Sequence, residues 1–280
     1  MKYNDDIHED RKQGLDKCVD RITSLQRIEI NCVELCNRTC VFCPRSDPSV
    51  YPNQNLHMHV DTINNMCVGL RDINYNGRIT FSGMGEPLLH EDIYSLLSPI
   101  KKQLHRLERL QIITNGDKLT TDVIARLIDC GVDRIEVNLY DGPEQVKHYT
   151  DMFASHIDHM YLRHHYHGED VTYGLTLNNR AGSVDMGDNQ EHFINKTCYL
   201  PFYKMVINWN GDLLLCAQDW LHESNLKVNI NETTIREAWL SESLMNYRNK
   251  LLKNSRCVAP CNKCNVVGTI VGEQAFNNFK

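Results

Sequence analysis

Cys36, Cys40 and Cys43 lie in one stretch, ELCNRTCVFCPRSDP, with the spacing C-x3-C-x2-C. Three thiols this close cannot all pair with one another, and they are one ligand short of a closed tetrahedral metal site. Soft thiolates at such spacing suit iron–sulfur ligation. A four-iron cube held by three cysteines keeps one iron open, and an open metal position binds a substrate or cofactor. Zinc is the rival for the same donors. A second group lies downstream, at Cys198, Cys216, Cys257, Cys261 and Cys264.

The chain around these cysteines is that of an ordinary globular protein. It has 280 residues, 41% hydrophobic and 24% charged, enough for one large domain or one domain plus a small one. A net charge of −6 argues against a nucleic-acid partner, which selects a basic face. The N-terminal MKYNDDIHED is too polar for a signal peptide, and no apolar run reaches the roughly 18 residues of a membrane span. A cytoplasmic location follows as the expectation, with no membrane partner. In a reducing compartment twelve cysteines imply metal rather than disulfides. The isolated Cys18, Cys67 and Cys130 read as small buried hydrophobes.

The elements that must position the cysteines alternate. Residues 27–34, 78–83, 109–116 and 133–141 read as strands, and 158–166 as a further one. Residues 61–72, 90–104, 120–131 and 142–153 between them have helical spacing. This order predicts an α/β fold: a partial (β/α) barrel of five or six parallel strands over residues 27–195, after a helical extension at 1–26. Chemistry in such folds gathers at the C-terminal strand ends. There the chain places the cysteine loop, Gly83-Met84-Gly85-Glu86-Pro87 and Thr114-Asn115-Gly116. In the fourth strand Ile135, Val137 and Leu139 share one face and Glu136, Asn138 and Tyr140 the other, as a ligand-filled lumen requires. Residues 203–219 alternate around Asn210-Gly211, a hairpin signature, and 234–252 form an amphipathic helix. Residues 196–280 therefore read as a small hairpin-plus-helix iron–sulfur unit.

The first cysteine motif, with Phe42 just before its last cysteine, resembles the signature of the radical SAM superfamily. The resemblance implies a [4Fe–4S] cluster on Cys36, Cys40 and Cys43 whose open iron chelates S-adenosylmethionine (SAM). One electron then cleaves SAM to a 5′-deoxyadenosyl radical that abstracts a substrate hydrogen. Such an enzyme takes its electron from an external reductant such as flavodoxin or ferredoxin. Gly83, Met84, Gly85 and Glu86 resemble the glycine-rich segment that holds the methionyl amine, with Glu86 able to pair with an ammonium. Asn115 and Asn138 are the candidates near the SAM ribose.

The run Cys198-x12-Gly211-x4-Cys216 resembles the opening of a SPASM or Twitch auxiliary domain, with Cys261 and Cys264 completing four ligands for a second [4Fe–4S] cluster. A closed cluster suits electron transfer, so hydrogen abstraction from a carbinol followed by loss of a proton and an electron gives a ketone. Arg180 resembles the substrate-contacting arginine of Twitch-type aminocyclitol dehydrogenases, and His165 and His167 are candidate general bases. The expected activity is oxidation of an alcohol on a small sugar or aminocyclitol. A peptide-modifying maturase and a radical epimerase, the latter with Cys257 as hydrogen donor, are the alternatives.

Overall fold

A computed structural model gives the fold and describes residues 17–165, 178–185 and 193–280. Its centre is a seven-stranded sheet. The strands are β1 (Arg27–Ile30), β2 (Arg78–Phe81), β3 (Arg109–Thr114), β4 (Arg134–Leu139), β5 (Met160–His164), β6 (Lys204–Ile207) and β7 (Leu213–Leu214). Their order is β5-β4-β3-β2-β1-β6-β7, with the two end strands not paired to each other. Every neighbouring pair is parallel except β6 with β7. The hairpin expected in the C-terminal unit is therefore part of the main sheet. Its first strand, β6, is the sixth parallel strand, paired with β1 from Arg27↔Lys204 to Ile30↔Ile207.

The register sorts the side chains into two faces. Ile28, Ile30, Ile79, Phe81, Leu110, Ile112, Ile135, Val137, Leu139 and Leu162 lie on one face, each at most 1% exposed. Each such side chain contributes about 1.5–3 kcal/mol on burial. Helices α1 (Val60–Asp72), α2 (Ile93–Gln103) and α3 (Thr121–Asp129) bury Ile63, Met66, Leu70, Leu96, Leu97, Ile100, Ile124 and Leu127 in the same core cluster. Local chemistry starts each helix: Asp92 accepts from the Ser95 amide and Thr120 from the Val123 amide. The opposite face carries Glu29, Thr80, Gln111, Arg134, Glu136 and Asn138 in register. This polar face lines the inside of the open barrel, as the alternation in β4 predicts.

Helix α4 (Glu144–Met152) follows β4, and α5 (Leu200–Tyr203) precedes β6. Beyond the hairpin, α6 (Ile235–Trp239), α7 (Glu242–Leu252) and α8 (Glu273–Asn277) close the C-terminal part. Arg248 ties them together. It is fully buried, donates to the carbonyls of Pro201 and Trp239, and lies over the Trp239 and Phe279 rings. Of the N-terminal extension, residues 17–26 form a turn braced by Asp20, whose carboxylate accepts from the Ile22 and Thr23 amides. Cys18 and Cys67 are buried as expected, while Cys130 is half-buried with its sulfur accepting from Ser98. No helix among the described residues is long and apolar enough to cross a membrane.

Candidate active site

The loop after β1 carries Cys36, Cys40 and Cys43, all partly exposed and none in a disulfide. The Cys43 amide donates to the Cys40 carbonyl, closing a turn between two of the cysteines. Asn53 fixes the third, accepting from the Cys36 amide at 2.8 Å and donating to the Cys36 carbonyl at 3.1 Å. Burial raises all three thiol pKa values, and each of Cys36 and Cys40 is raised further by Cys43, with Cys40 reaching about 11. As free thiols these groups are therefore weak nucleophiles, and a metal centre is what would deprotonate them.

Arg38 sits between the first two cysteines and anchors their loop across the barrel mouth. Its guanidinium donates to both oxygens of Asp117, after β3, at 2.6 and 2.7 Å, and to both of Asp141, after β4, at 2.7 Å. A planar fork makes two such bidentate contacts where a lysine could not. Sequence reasoning missed this clamp. The signal available was that both aspartates lie just past C-terminal strand ends.

A buried network joins the cysteine loop to the glycine segment. Glu34 and Arg45 pair at 2.6 Å with side chains 5% and 1% exposed. Arg45 also donates to the Met84 carbonyl at 2.5 Å and the Pro52 carbonyl at 3.0 Å. Asn31 donates to Glu34 and Asn208, both at 2.7 Å, and accepts from the Met84 and Gly85 amides at 3.0 and 3.1 Å. Gly85 is required by close approach, because a Cβ there would fall 2.0 Å from the Val33 carbonyl oxygen. Gly83 is required by conformation, at φ +114°.

The Glu86 carboxylate turns away from this segment. It accepts from the Thr114 hydroxyl and the Asn115 amide, both at 2.7 Å, and from the Leu88 amide at 3.1 Å. Burial pushes its pKa up to about 7 against those three donors. These bonds join the β2 loop to the end of β3. Asn115 is likewise engaged, donating to Asn37 at 2.9 Å and accepting from the Asp117 amide at 3.0 Å.

At the ends of β4 and β5, Phe42, Tyr140 and His165 stack, with ring centroids 5.1–6.2 Å apart. His165 Nε2 lies 3.0 Å from the Asn138 amide oxygen, so Asn138 faces the histidine. Below them Glu136, 2% exposed, lies 3.5 Å from Arg134 and 3.8 Å from Arg163. His167 lies outside the described residues.

The downstream cysteines separate into four and one. Burial is the first cause of a raised pKa at Cys198, Cys216, Cys261 and Cys264. Neighbouring thiols add to it: Cys261 and Cys264 at Cys216, Cys198 and Cys264 at Cys261, and Cys264 at Cys198. These four therefore share one site, and Cys257 is exposed outside it. Arg256, 1% exposed, holds that site together by donating to the carbonyls of Lys196, Thr197, Val266 and Val267. Arg180 lies between the two cysteine sites. Burial lowers its pKa, opposed first by Cys43 and then by Tyr140, Glu29 and Cys40, groups of the first cysteine loop and the neighbouring strands. Its Nε is buried with no hydrogen-bond partner among the described residues.

Both donor sets suit iron–sulfur cubes. Four sulfurs around one zinc lie about 3.8 Å apart, whereas a cube bonds each thiolate to a different iron. All-thiolate sets are the donors that such clusters take.

Comparison with known proteins agrees with the geometry. The model of the radical SAM superfamily matches residues 30–162, and that of the iron–sulfur cluster-binding domain SPASM matches residues 198–265. The chain is 26% identical over 270 residues to an S-adenosyl-L-methionine-dependent 2-deoxy-scyllo-inosamine dehydrogenase from Niallia circulans, covering 91% of this chain and 98% of that one. A crystal structure of BtrN in complex with AdoMet and 2-DOIA superposes with a TM-score of 0.73 at 26% identity, over 89% of this chain and 96% of that one. A GTP 3′,8-cyclase from Mesorhizobium japonicum is 28% identical over 123 residues, 41% of this chain and 34% of the cyclase, a likeness limited to part of each protein. With the two family models falling on the two cysteine sites, the chain belongs to the radical SAM superfamily and carries a C-terminal SPASM-type domain, its cofactors being SAM and two [4Fe–4S] clusters.

Proposed function

We propose that this enzyme is a dehydrogenase that oxidises one secondary alcohol of a small aminocyclitol-like ring to a ketone. The observation that carries the reading is the likeness, over nearly the full length of both chains, to the SAM-dependent 2-deoxy-scyllo-inosamine dehydrogenase. When bound, SAM and the two clusters supply the hydrogen-atom abstraction and accept one electron. Cys36, Cys40 and Cys43 would hold the first cluster, and Cys198, Cys216, Cys261 and Cys264 the second.

The chain's own residues bind and orient the ring and take one proton. Arg180 faces the lumen with a buried, unengaged Nε, suited to donating to a substrate hydroxyl. His165, whose Nε2 lies 3.0 Å from the Asn138 oxygen, is the side chain placed to take the carbinol proton. The Phe42–Tyr140–His165 stack forms an apolar wall beside the cysteine loop and helps to exclude water. The exposure of Cys257 speaks against its serving as a hydrogen donor inside the lumen. A flavodoxin- or ferredoxin-type protein is the proposed source of the priming electron.

The test is turnover of 2-deoxy-scyllo-inosamine by anaerobically reconstituted enzyme in D2O. A ketone two mass units lighter, with one 5′-deoxyadenosine per product, is expected. An isomer of unchanged oxidation level carrying solvent deuterium on carbon would replace the dehydrogenase reading with epimerisation.

A further inference from the structure

The segment that presents Arg180 is bonded to the auxiliary cysteine loop. Asn179 is 2% exposed and forms a reciprocal amide pair with Asn265. The Asn179 amide donates to Asn265 Oδ1 at 2.9 Å, and the Asn265 amide donates to Asn179 Oδ1 at 3.3 Å. Asn179 Nδ2 adds a third bond, 2.7 Å to the Lys263 carbonyl. Lys263 and Asn265 flank Cys264, and Cys261 and Cys264 bracket the same short turn, so these bonds end on the ligand loop itself.

The backbone between the latch and the lumen is unusual. Arg180, Ala181 and Gly182 have φ of 46°, 53° and 91°, left-handed values that non-glycine residues adopt at a cost. Such a turn persists only where its surroundings over-determine it. Here Gly182 and Val184 donate to the Asn179 carbonyl at 2.8 and 3.1 Å, and the Arg180 amide donates to Asn178 at 3.1 Å. Gly182 also packs so closely on Lys263 that a Cβ would lie 2.9 Å from the lysine Cβ. Among the described residues, Asn179 and Gly182 carry the turn onto residues 263–265.

We propose that Asn265 is a positioning residue: through Asn179 it makes the auxiliary ligand loop set the place of Arg180, so that the arginine reaches the lumen only when that loop is ordered. The substrate-binding consequence rests on the reading of Arg180 as a substrate contact. The latch itself does not. Removing the Asn265 oxygen leaves the buried Asn179 N–H without its acceptor, a loss large enough to shift the local equilibrium about tenfold or more.

The test uses reconstituted holoenzyme with Asn265→Ala and Asn265→Asp, the second of which keeps the acceptor oxygen. Hydrogen exchange of the peptide covering 178–185, and phenylglyoxal modification of Arg180 read by mass spectrometry, need no substrate. Asn265→Ala is expected to raise both by about tenfold at unchanged iron content, Asn265→Asp to stay within about twofold of the unaltered chain, and Cys264→Ala to reproduce the Asn265→Ala change. Unaltered exchange and modification in Asn265→Ala would overturn the latch, and so would equal effects of Ala and Asp. The KM for 2-deoxy-scyllo-inosamine in Asn265→Ala is then expected to rise with formation of 5′-deoxyadenosine retained. If the latch measurements succeed and the KM is unmoved, the assignment of Arg180 to the substrate fails while the latch stands.

Discussion

Removing Arg45 should cost more than neutralising its partner Glu34, and the structure gives the size of the difference. The pair is 2.6 Å apart with side chains 1% and 5% exposed, so neither charge is solvated by water. Arg45→Met strips Glu34 of its one cation among the described residues and leaves it one amide, from Asn31, and one phenol, from Tyr51. Breaking a buried pair this way costs about 3–5 kcal/mol. Glu34→Gln leaves Arg45 better served, because Met84, Pro52 and Asn53 still offer oxygens. That change should cost about 1–3 kcal/mol, in the range for an imperfectly satisfied buried group. With an unfolding entropy of about 2.1 cal/mol/K per residue, these become Tm losses of roughly 5–8 °C and 2–5 °C. Thermal unfolding of reconstituted protein, followed by far-UV circular dichroism, measures both. The double variant should lose less than the sum of the two, since no buried charge then stands alone. Strict additivity, or a Glu34→Gln loss equal to that of Arg45→Met, would refute the reasoning.

Gly85→Ala should abolish SAM binding measured by equilibrium dialysis, because its Cβ would lie 2.0 Å from the Val33 carbonyl oxygen and displace the segment or the cysteine loop. Alanine at Cys36, Cys40 or Cys43 should stop release of 5′-deoxyadenosine, whereas alanine at Cys198, Cys216, Cys261 or Cys264 should leave some release while lowering iron from about eight to about four per chain; chromatography and an iron assay read the two. Glu86 should make stability fall with rising pH. Its folded pKa of about 7 lies above the unfolded carboxylate value, so the folded chain holds the proton more tightly between about 4.5 and 7 and loses that advantage as pH climbs through the window. Urea unfolding at pH 5.5 and 7.5 should show the slope, and Glu86→Gln should remove it.

Much of the site was legible because its signals are local. Ligands within eight residues of one another, from Cys36 to Cys43, declare a thiolate metal site by spacing alone. The alternation in β4 likewise declared a core face and a lumen face, since the side-chain period of a strand is fixed by its backbone. Glycines at 83 and 85 marked a place where backbone must come close. Glu86 shows where such reading stops. Its carboxylate is held by donors at Thr114 and Asn115, nearly thirty residues away, which no local spacing announces.

What the sequence by itself determined was the donor chemistry, the order of strands and helices, and the strand ends at which the site would form. Tertiary structure alone decided that Arg38 would meet aspartates 79 and 103 residues distant, that β6 would join β1 in the sheet, and that Asn179 would latch onto Asn265. The physical reason is one of range. Spacing and periodicity are consequences of covalent geometry and act over a few residues. Assembly of the sheet is driven by the non-directional burial of apolar area, which carries no address for a particular polar pair. Only after that assembly are an arginine and its carboxylates brought within 3 Å, where hydrogen-bond geometry decides between them.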